Sequence, residues 1–203
     1  GYRYRRGTRA ILGPYLLGTI AEDLAANREL NVGEMPFYID EITSLAPDVG
    51  EPGTQGTLET GTGLLVRIPP WRADDYPNVE TDGKHGTFWR PEHTVEPLHT
   101  QLEANLDQKH DLFCPDDLPG PSEVDGRLFD GFELIKTFAL PTTVTQGVEQ
   151  TLILSKWQFD YQVRGDDHRR HLNLALDAGL GERNALGFGF MNITDKNLTE
   201  EMA

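Results

Sequence analysis

The sequence predicts an α+β fold in which residues 60–193 run β, α, β, β, α, β, the ferredoxin-like (RRM-like) split βαβ order. Three observations predict it. Val95, Leu98, Leu102 and Leu106 step at three and four, the mark of an amphipathic helix. Two long extended runs flank Gln146-Gly147, as in a hairpin. A second amphipathic helix closes at Gly179 and is followed by another apolar stretch. Elements in that order place helices over one face of an antiparallel sheet.

The opening, Gly1 to Gly13, has four arginines, no acid and no clear period. It reads as a basic arm, a loop or, the reading favoured here, the ragged edge of a truncated element. Leu16, Leu17, Ile20, Leu24 and Ala25 recur at helical spacing, which predicts a helix over 15–27, with a short strand at Phe37–Ile42 to follow. These elements, residues 1–45, are expected to be the last two of a second ferredoxin-like domain. Residues 46–59, rich in Pro and Gly, are expected to be a linker.

In the C-terminal domain, Leu64–Ile68 is an apolar run stopped by Pro69 and Pro70 and predicts the first strand. The helix from Val95 runs to about His110. The hairpin strands are Phe132–Val144 and Val148–Val163; in the second, Ser155, Trp157, Phe159, Tyr161 and Val163 alternate with Lys156, Gln158, Asp160 and Gln162. Asp166 and Asp167 can cap the next helix, with Leu172, Ala175 and Leu176 inward and His168, Arg169, Arg170 and Asn173 outward. The last strand is expected at Leu186–Ile193, with a frayed tail over 194–203.

The net charge of −15 argues at first sight against a nucleic-acid partner, which normally meets a basic face. The acid is unevenly spread: residues 14–126 hold six basic and 22 acidic residues, whereas 127–190 hold seven and eight. An acidic excess can also be the solvating surface of a protein adapted to concentrated salt, where screening over roughly 3 Å leaves close contacts to hold a ligand. The one cysteine, Cys114, excludes an internal disulfide framework and cysteine-cluster metal sites, and suits a reducing, cytoplasmic interior. No run of eighteen apolar residues or signal-peptide pattern occurs, so no membrane partner is expected.

Catalytic motifs are sparse. The six histidines form no His-x-x-x-His pair, and no metal or cofactor is expected. His168 and His171, with two arginines between them, read as a solvated helix surface. No Gly-x-Ser-x-Gly elbow is present, and Cys114 beside Pro115 reads as a small buried hydrophobe.

The most informative stretch is Gly179-Leu-Gly181-Glu182-Arg183-Asn184-Ala-Leu186-Gly187-Phe188-Gly189-Phe190. Its glycines tolerate positive φ and close approach of another backbone, and amides between them can converge on an anion. A helix C-cap, a strand bulge and a plain surface loop are the structural alternatives. The dinucleotide fingerprint does not fit, because the loop leaves a helix and enters a strand, and no Gly-Lys-Ser/Thr follows for a Walker loop. Gly179, Gly181, Glu182, Arg183, Asn184, Gly187 and Gly189, with Arg169, Arg170 and Lys156 expected near the same end of the sheet, form a candidate phosphate-backbone site.

Gly179-x-Gly181, five residues, then Gly187-Phe188-Gly189, between a helix and the last strand of a ferredoxin-like unit, resembles the signature of the CRISPR repeat-processing endoribonucleases, the sixth Cas family. The resemblance extends more loosely over 30–193, including Phe132-Glu-Leu-Ile-Lys-Thr137, and the acidic composition is similar to that of salt-adapted archaeal members. It implies tandem ferredoxin-like domains that bind CRISPR repeat RNA and cut it without a metal, a ribose 2′-hydroxyl attacking the adjacent phosphate to leave a cyclic phosphate. It implies a histidine as general base or acid, in a segment of the first domain to which none of His85, His93, His99, His110, His168 or His171 corresponds. The catalytic residue is therefore unassigned. An inactive RNA-binding protein and a structural subunit of a CRISPR surveillance complex are the alternatives.

Overall fold

The computed structural model describes residues 21–41, 47–81, 86–114, 117–145 and 148–198. The expectations for residues 1–20, for the Gln146-Gly147 turn and for 199–203 fall outside them. The chain divides into two units, Gly1–Ala46 and Pro47–Ala203.

In the first unit, residues 21–26 are helical, matching the end of the expected helix. Two short strands follow, β1 (Glu29–Val32) and β2 (Met35–Tyr38), paired antiparallel with Glu29 opposite Tyr38. Gly33, at φ 63°, supplies the left-handed turn between them. The single strand expected at Phe37–Ile42 is thus shifted toward the N-terminus and has a partner that its polar sequence conceals.

The second unit is built on four strands, β3 (Thr54–Thr60), β6 (Gly131–Thr145), β7 (Val148–Gln162) and β8 (Met191–Leu198). They lie in the order β6-β7-β3-β8, all neighbours antiparallel. Counted along the chain this is second, third, first, fourth, the order that a βαββαβ unit produces. Helix α1 (Glu96–Phe113) connects the first strand to the second, and α2 (Asp166–Ala178) the third to the fourth.

Both helices bury one stripe against one sheet face. Leu98, Leu102 and Leu106 of α1 and Leu172, Ala175 and Leu176 of α2 meet Leu58, Trp157, Phe159 and Met191 in one core. Trp157 is the hub: its ring centroid lies 5.1 Å from that of Trp89, its amide takes Thr60 Oγ1 at 2.8 Å, and its indole donates to Ser155 Oγ at 2.8 Å. A smaller cluster of Leu65, Leu152 and Leu154 is packed by Phe88, Phe138, Leu140 and Phe188.

The first strand is not Leu64–Ile68. Leu64 makes an isolated bridge to Ser155, and β4 (Arg67–Ile68) pairs only with β5 (Thr87–Phe88), ahead of a single helical turn at Pro70–Ala73. The central strand is Thr54–Thr60, all but its last residue inside the stretch expected to be linker. Gly56 is what lets it sit there: a Cβ on Gly56 would stand 2.5 Å from Tyr161 Oη. The last strand is also displaced. Residues 184–186 form a 3-10 turn and pairing begins at Met191, so 194–198, expected to be frayed, are sheet.

Helix α2 differs from expectation on its surface. Its N-cap is Gly165, and Asp166 and Asp167 occupy the first turn without a side-chain cap bond. His168 is buried rather than outward, because 168, 171, 172 and 175 share the inward stripe.

Candidate nucleic-acid interface

The glycine stretch is a folded-back loop on the edge of the sheet. Gly179 ends α2 at φ 77°, and Gly181, Arg183, Gly187 and Gly189 also take positive φ, at 68°, 58°, 88° and 68°. Leu180 N donates to Gly189 O at 2.9 Å, and Asn184 Nδ2 donates to the carbonyls of Leu180 and Phe188, both at 3.0 Å. Asn184 is therefore a clasp inside the loop.

A second segment, Gly61-Thr62-Gly63, is laced to the loop from the other side. Gly61 N reaches Phe190 O at 2.7 Å, Phe190 N reaches Thr62 Oγ1 at 3.0 Å, and Gly189 N reaches Gly63 O at 2.9 Å. The Glu182 amide then donates to Leu65 O at 2.8 Å. The sequence reading missed this partner; its signal is Gly61-x-Gly63 just before an apolar run.

The glycines separate into two roles. A Cβ on Gly189 would fall 1.8 Å from Leu180 O, on Gly181 2.5 Å from Leu65 O, and on Gly179 2.7 Å from Asn184 Nδ2. These three are demanded by the loop's own packing. Gly187 has nothing within 4 Å of its would-be Cβ and lies exposed at the tip. It opens onto empty space at the surface.

Beneath the loop is Lys109, which the sequence reading also missed. From the end of α1 it donates to Gly179 O at 2.7 Å and Gly181 O at 3.0 Å. Burial lowers its pKa to about 7. The two carbonyls orient the amine, and the amine in turn ties the loop's first turn to the helix.

On the face of the sheet away from the helices, Lys136 and Lys156 are direct cross-strand partners. Lys136 is exposed, with its ammonium 5.8 Å from the Phe138 ring centroid. Lys156 donates to Gly61 O at 3.2 Å, beside the loop. At the loop's far side Arg183 Nη2 lies 3.4 Å from Gln150 Oε1, six residues along β7 from Lys156, roughly 20 Å at strand rise. None of the three forms a carboxylate ion pair among the described residues, whereas Arg67, Arg90, Arg127, Arg164, Arg169 and Arg170 all do. Glu182 points elsewhere, toward Arg67 at 3.0 Å.

Arg169 and Arg170 are not brought to this face. They lie near the start of α2, and the loop follows its end, about 12–14 Å further along the helix axis. Arg169 pairs with Asp48 and Glu51; Arg170 pairs with Asp167 and donates to Pro119 O. Burial tends to raise the Asp48 carboxyl, but the Gly50 amide and Arg169 outweigh it and hold its pKa below the usual value.

The five described histidines lie inside the fold. His93, His99, His110, His168 and His171 are all buried. Burial depresses the pKa of His168, and drives that of His171 down to about 4 while its Nε2 faces Pro119 O at 2.9 Å. The solvated surface expected for His168 and His171 is thus corrected. Cys114 is buried at the end of α1, as expected. Among the described residues no group of three or more His, Cys, Asp or Glu is placed to hold a metal ion, and no helix is long and apolar enough to cross a membrane.

Residues 53–193 match the family model described as CRISPR associated protein Cas6, C-terminal. The chain belongs to the Cas6 family. The resemblance carried by the glycine stretch is borne out, and the match runs from the first strand of the four-stranded unit to the start of its last. A Cas6 relative from Haloferax mediterranei, a CRISPR-associated endoribonuclease, is 54% identical over 181 residues, covering 89% of this chain and 67% of its own length. That haloarchaeal source agrees with the acidic, salt-adapted composition. A solved Cas6 structure superimposes with a TM-score of 0.58 at 17% identity over 88% of this chain, and a Cas6-related protein from Pyrococcus furiosus with 0.51 at 18% over 92%. These two likenesses concern the fold. The chain spans 63% and 65% of those structures' lengths, and about two thirds of the curated relative.

Proposed function

We propose that this chain serves the processing of precursor CRISPR RNA, holding repeat RNA by its backbone along the glycine loop for metal-independent endoribonucleolytic cleavage into guide RNAs. The observation that carries the reading is the pair Lys136–Lys156. Like charges directly opposite on neighbouring strands oppose folding. In a chain of net charge −15, carboxylate partners are plentiful, yet these two have none among the described residues, and Lys156 reaches Gly61, which is hydrogen-bonded to the loop. A phosphate chain laid along β7 would neutralise both, pass the open tip at Gly187 and end near Arg183.

The loop amides of Arg183, Asn184, Ala185 and Phe188, which have no partner among the described residues, supplement the cations. Gly179, Gly189 and Asn184 support the site by shaping the loop. Glu182, Arg169 and Arg170 keep the ion pairs described above and stand outside the proposed backbone path. Residues 1–45 supply, on this reading, the end of a preceding ferredoxin-like domain, and the protein works in the cytoplasm without a cofactor.

One observation favours binding as the share of the work done by this unit. The buried histidines of the described residues are unsuited to exchange protons with a ribose hydroxyl. The unit then positions the RNA, alone or within a CRISPR surveillance complex, and the proton-transferring group comes from elsewhere. Incubating the full chain with repeat RNA from its own genome, in molar salt with EDTA, separates the readings. A single cut ending in a cyclic phosphate supports the nuclease, binding without product supports a carrier, and no binding refutes the RNA-binding proposal.

A further inference from the structure

Helix α1 carries four carboxylates, Glu96, Glu103, Asp107 and Asp111, and Lys109 is its only lysine or arginine. Lys109 nevertheless forms no carboxylate ion pair among the described residues. Its amine is directed to the glycine loop, and the way the two accepting carbonyls are built into that loop gives the contact a purpose.

Gly179 O and Leu180 N belong to one peptide unit, and Gly181 O and Glu182 N to another. Both oxygen ends meet Lys109 Nζ, at 2.7 and 3.0 Å. Both nitrogen ends are tied elsewhere, Leu180 N to Gly189 O at 2.9 Å and Glu182 N to Leu65 O at 2.8 Å. A peptide unit is planar, so fixing it at both ends removes most of its freedom to turn. Lys109 is the one side chain that fixes both units at once.

The tip of the loop is built on this base. Leu180 O, between the two units, accepts from Asn184 Nδ2 at 3.0 Å. The 3-10 turn then closes through Leu186 N to Arg183 O at 2.9 Å and Gly187 N to Asn184 O at 2.8 Å. Restraint therefore runs from α1 through Lys109 and Leu180 to the exposed residues 185–187.

We infer that Lys109 is a positioning residue for RNA: by holding residues 179–182 it sets the amides of Arg183, Asn184, Ala185 and Phe188 in one arrangement before the phosphate chain arrives. The inference rests on the RNA-binding reading above. A loop ordered in advance has no freedom left to lose on binding, which strengthens affinity without adding a contact. A lysine that served only the dipole at the C-terminal end of α1 would leave the loop and RNA affinity unchanged when removed.

The test compares wild type with Lys109→Met, which keeps a flexible apolar stem and loses the donor, in the full chain. In the free variant the amides of Leu180 and Glu182 should exchange with solvent about tenfold faster relative to the core amide of Trp157. Bound repeat RNA should restore their protection. Affinity for that RNA should fall about tenfold, the equivalent of ordering roughly one further residue. The slope of log affinity against log salt should match that of wild type, because no phosphate contact is removed. Lys109→Arg, which keeps donors for both carbonyls, should recover most of the loss. Unchanged exchange at Leu180 and Glu182, unchanged affinity, or equal losses in the two variants overturns the inference and leaves the RNA-binding reading standing. A slope flattened by about 0.7 also overturns it, since Lys109 would then be a phosphate contact. Failure of wild type to bind the RNA overturns that reading, and the inference with it.

Discussion

Lys136 and Lys156 stand directly opposite each other across the β6–β7 hairpin, next to a glycine loop in a protein with 33 acidic and 18 basic side chains. A sheet selected for stability alone would pair at least one of them with a carboxylate. The nearest acidic positions on that face, Glu59 and Glu133, are in register with Gln158 and form no ion pair with either lysine.

Removing one lysine should therefore stabilise the free protein. Lys136→Gln is expected to raise stability by about 0.2–1 kcal/mol, the scale of a cross-strand pair. The gain should appear in urea unfolding at low salt and shrink in molar salt. A loss of stability at low salt would mean that the pair has a structural role.

The two classes of glycine should part under substitution. Gly189→Ala sets a methyl into Leu180 O and must open the loop, whereas at Gly187 an added Cβ meets no atom and Gly187→Val brings chiefly the strain of φ 88°. Melting should fall clearly for the first and by a few degrees for the second. Both should lose RNA affinity, Gly187→Val with the fold intact by circular dichroism. Equal melting of the two variants would contradict the division.

The amine of Lys109 gives stability a pH dependence above neutrality. Its pKa in the folded chain is lowered to about 7 from 10.5, so between those values the unfolded chain binds the extra proton. Its contribution is therefore least favourable below pH 7 and improves as the pH rises toward 10.5. The unfolding free energy of wild type minus that of Lys109→Met should climb across that window. A flat difference would place the amine in contact with water.

His171 gives the opposite margin its shape. Burial holds its pKa near 4, below the ordinary 6.5, so on acidification the unfolded chain takes up the proton first. Stability attributable to His171 should be intact above pH 6.5 and fall away toward pH 4. His171→Gln, compared with wild type by thermal melting from pH 7 to 4, should lose less on acidification.

Much of the architecture was legible because it follows from periodicity. Leu98, Leu102 and Leu106, and the alternation from Ser155 to Val163, fix a helix and a strand whose partners leave few topologies. Thr54–Thr60 was illegible because its side chains are polar and its single large apolar residue is Leu58; its burial comes from neighbours far away in the chain. Leu64–Ile68 misled for the converse reason: a fully buried run looks like a central strand whether or not it pairs. The alternation of Phe188 and Phe190 with glycines likewise imitates a strand where the backbone is instead folded on itself.

The site was legible at its glycines and less so elsewhere. Lys109 gave no sign, since its role depends on helix α1 ending under the loop. Arg169 and Arg170 are close to the loop in sequence, but the length of α2 puts them at its other end. Lys136 was invisible as a partner of Lys156 until the hairpin register brought the two together.

The central claim is that RNA backbone lies along the lysine pair and the loop, and the salt dependence of RNA affinity tests it most directly. Plotted as log affinity against log salt, wild type should give a negative slope. Lys136→Met and Lys156→Met should each weaken binding across sequences and flatten that slope by about 0.7, the value for one contact to a single strand. A slope in the double variant equal to that of wild type would contradict it.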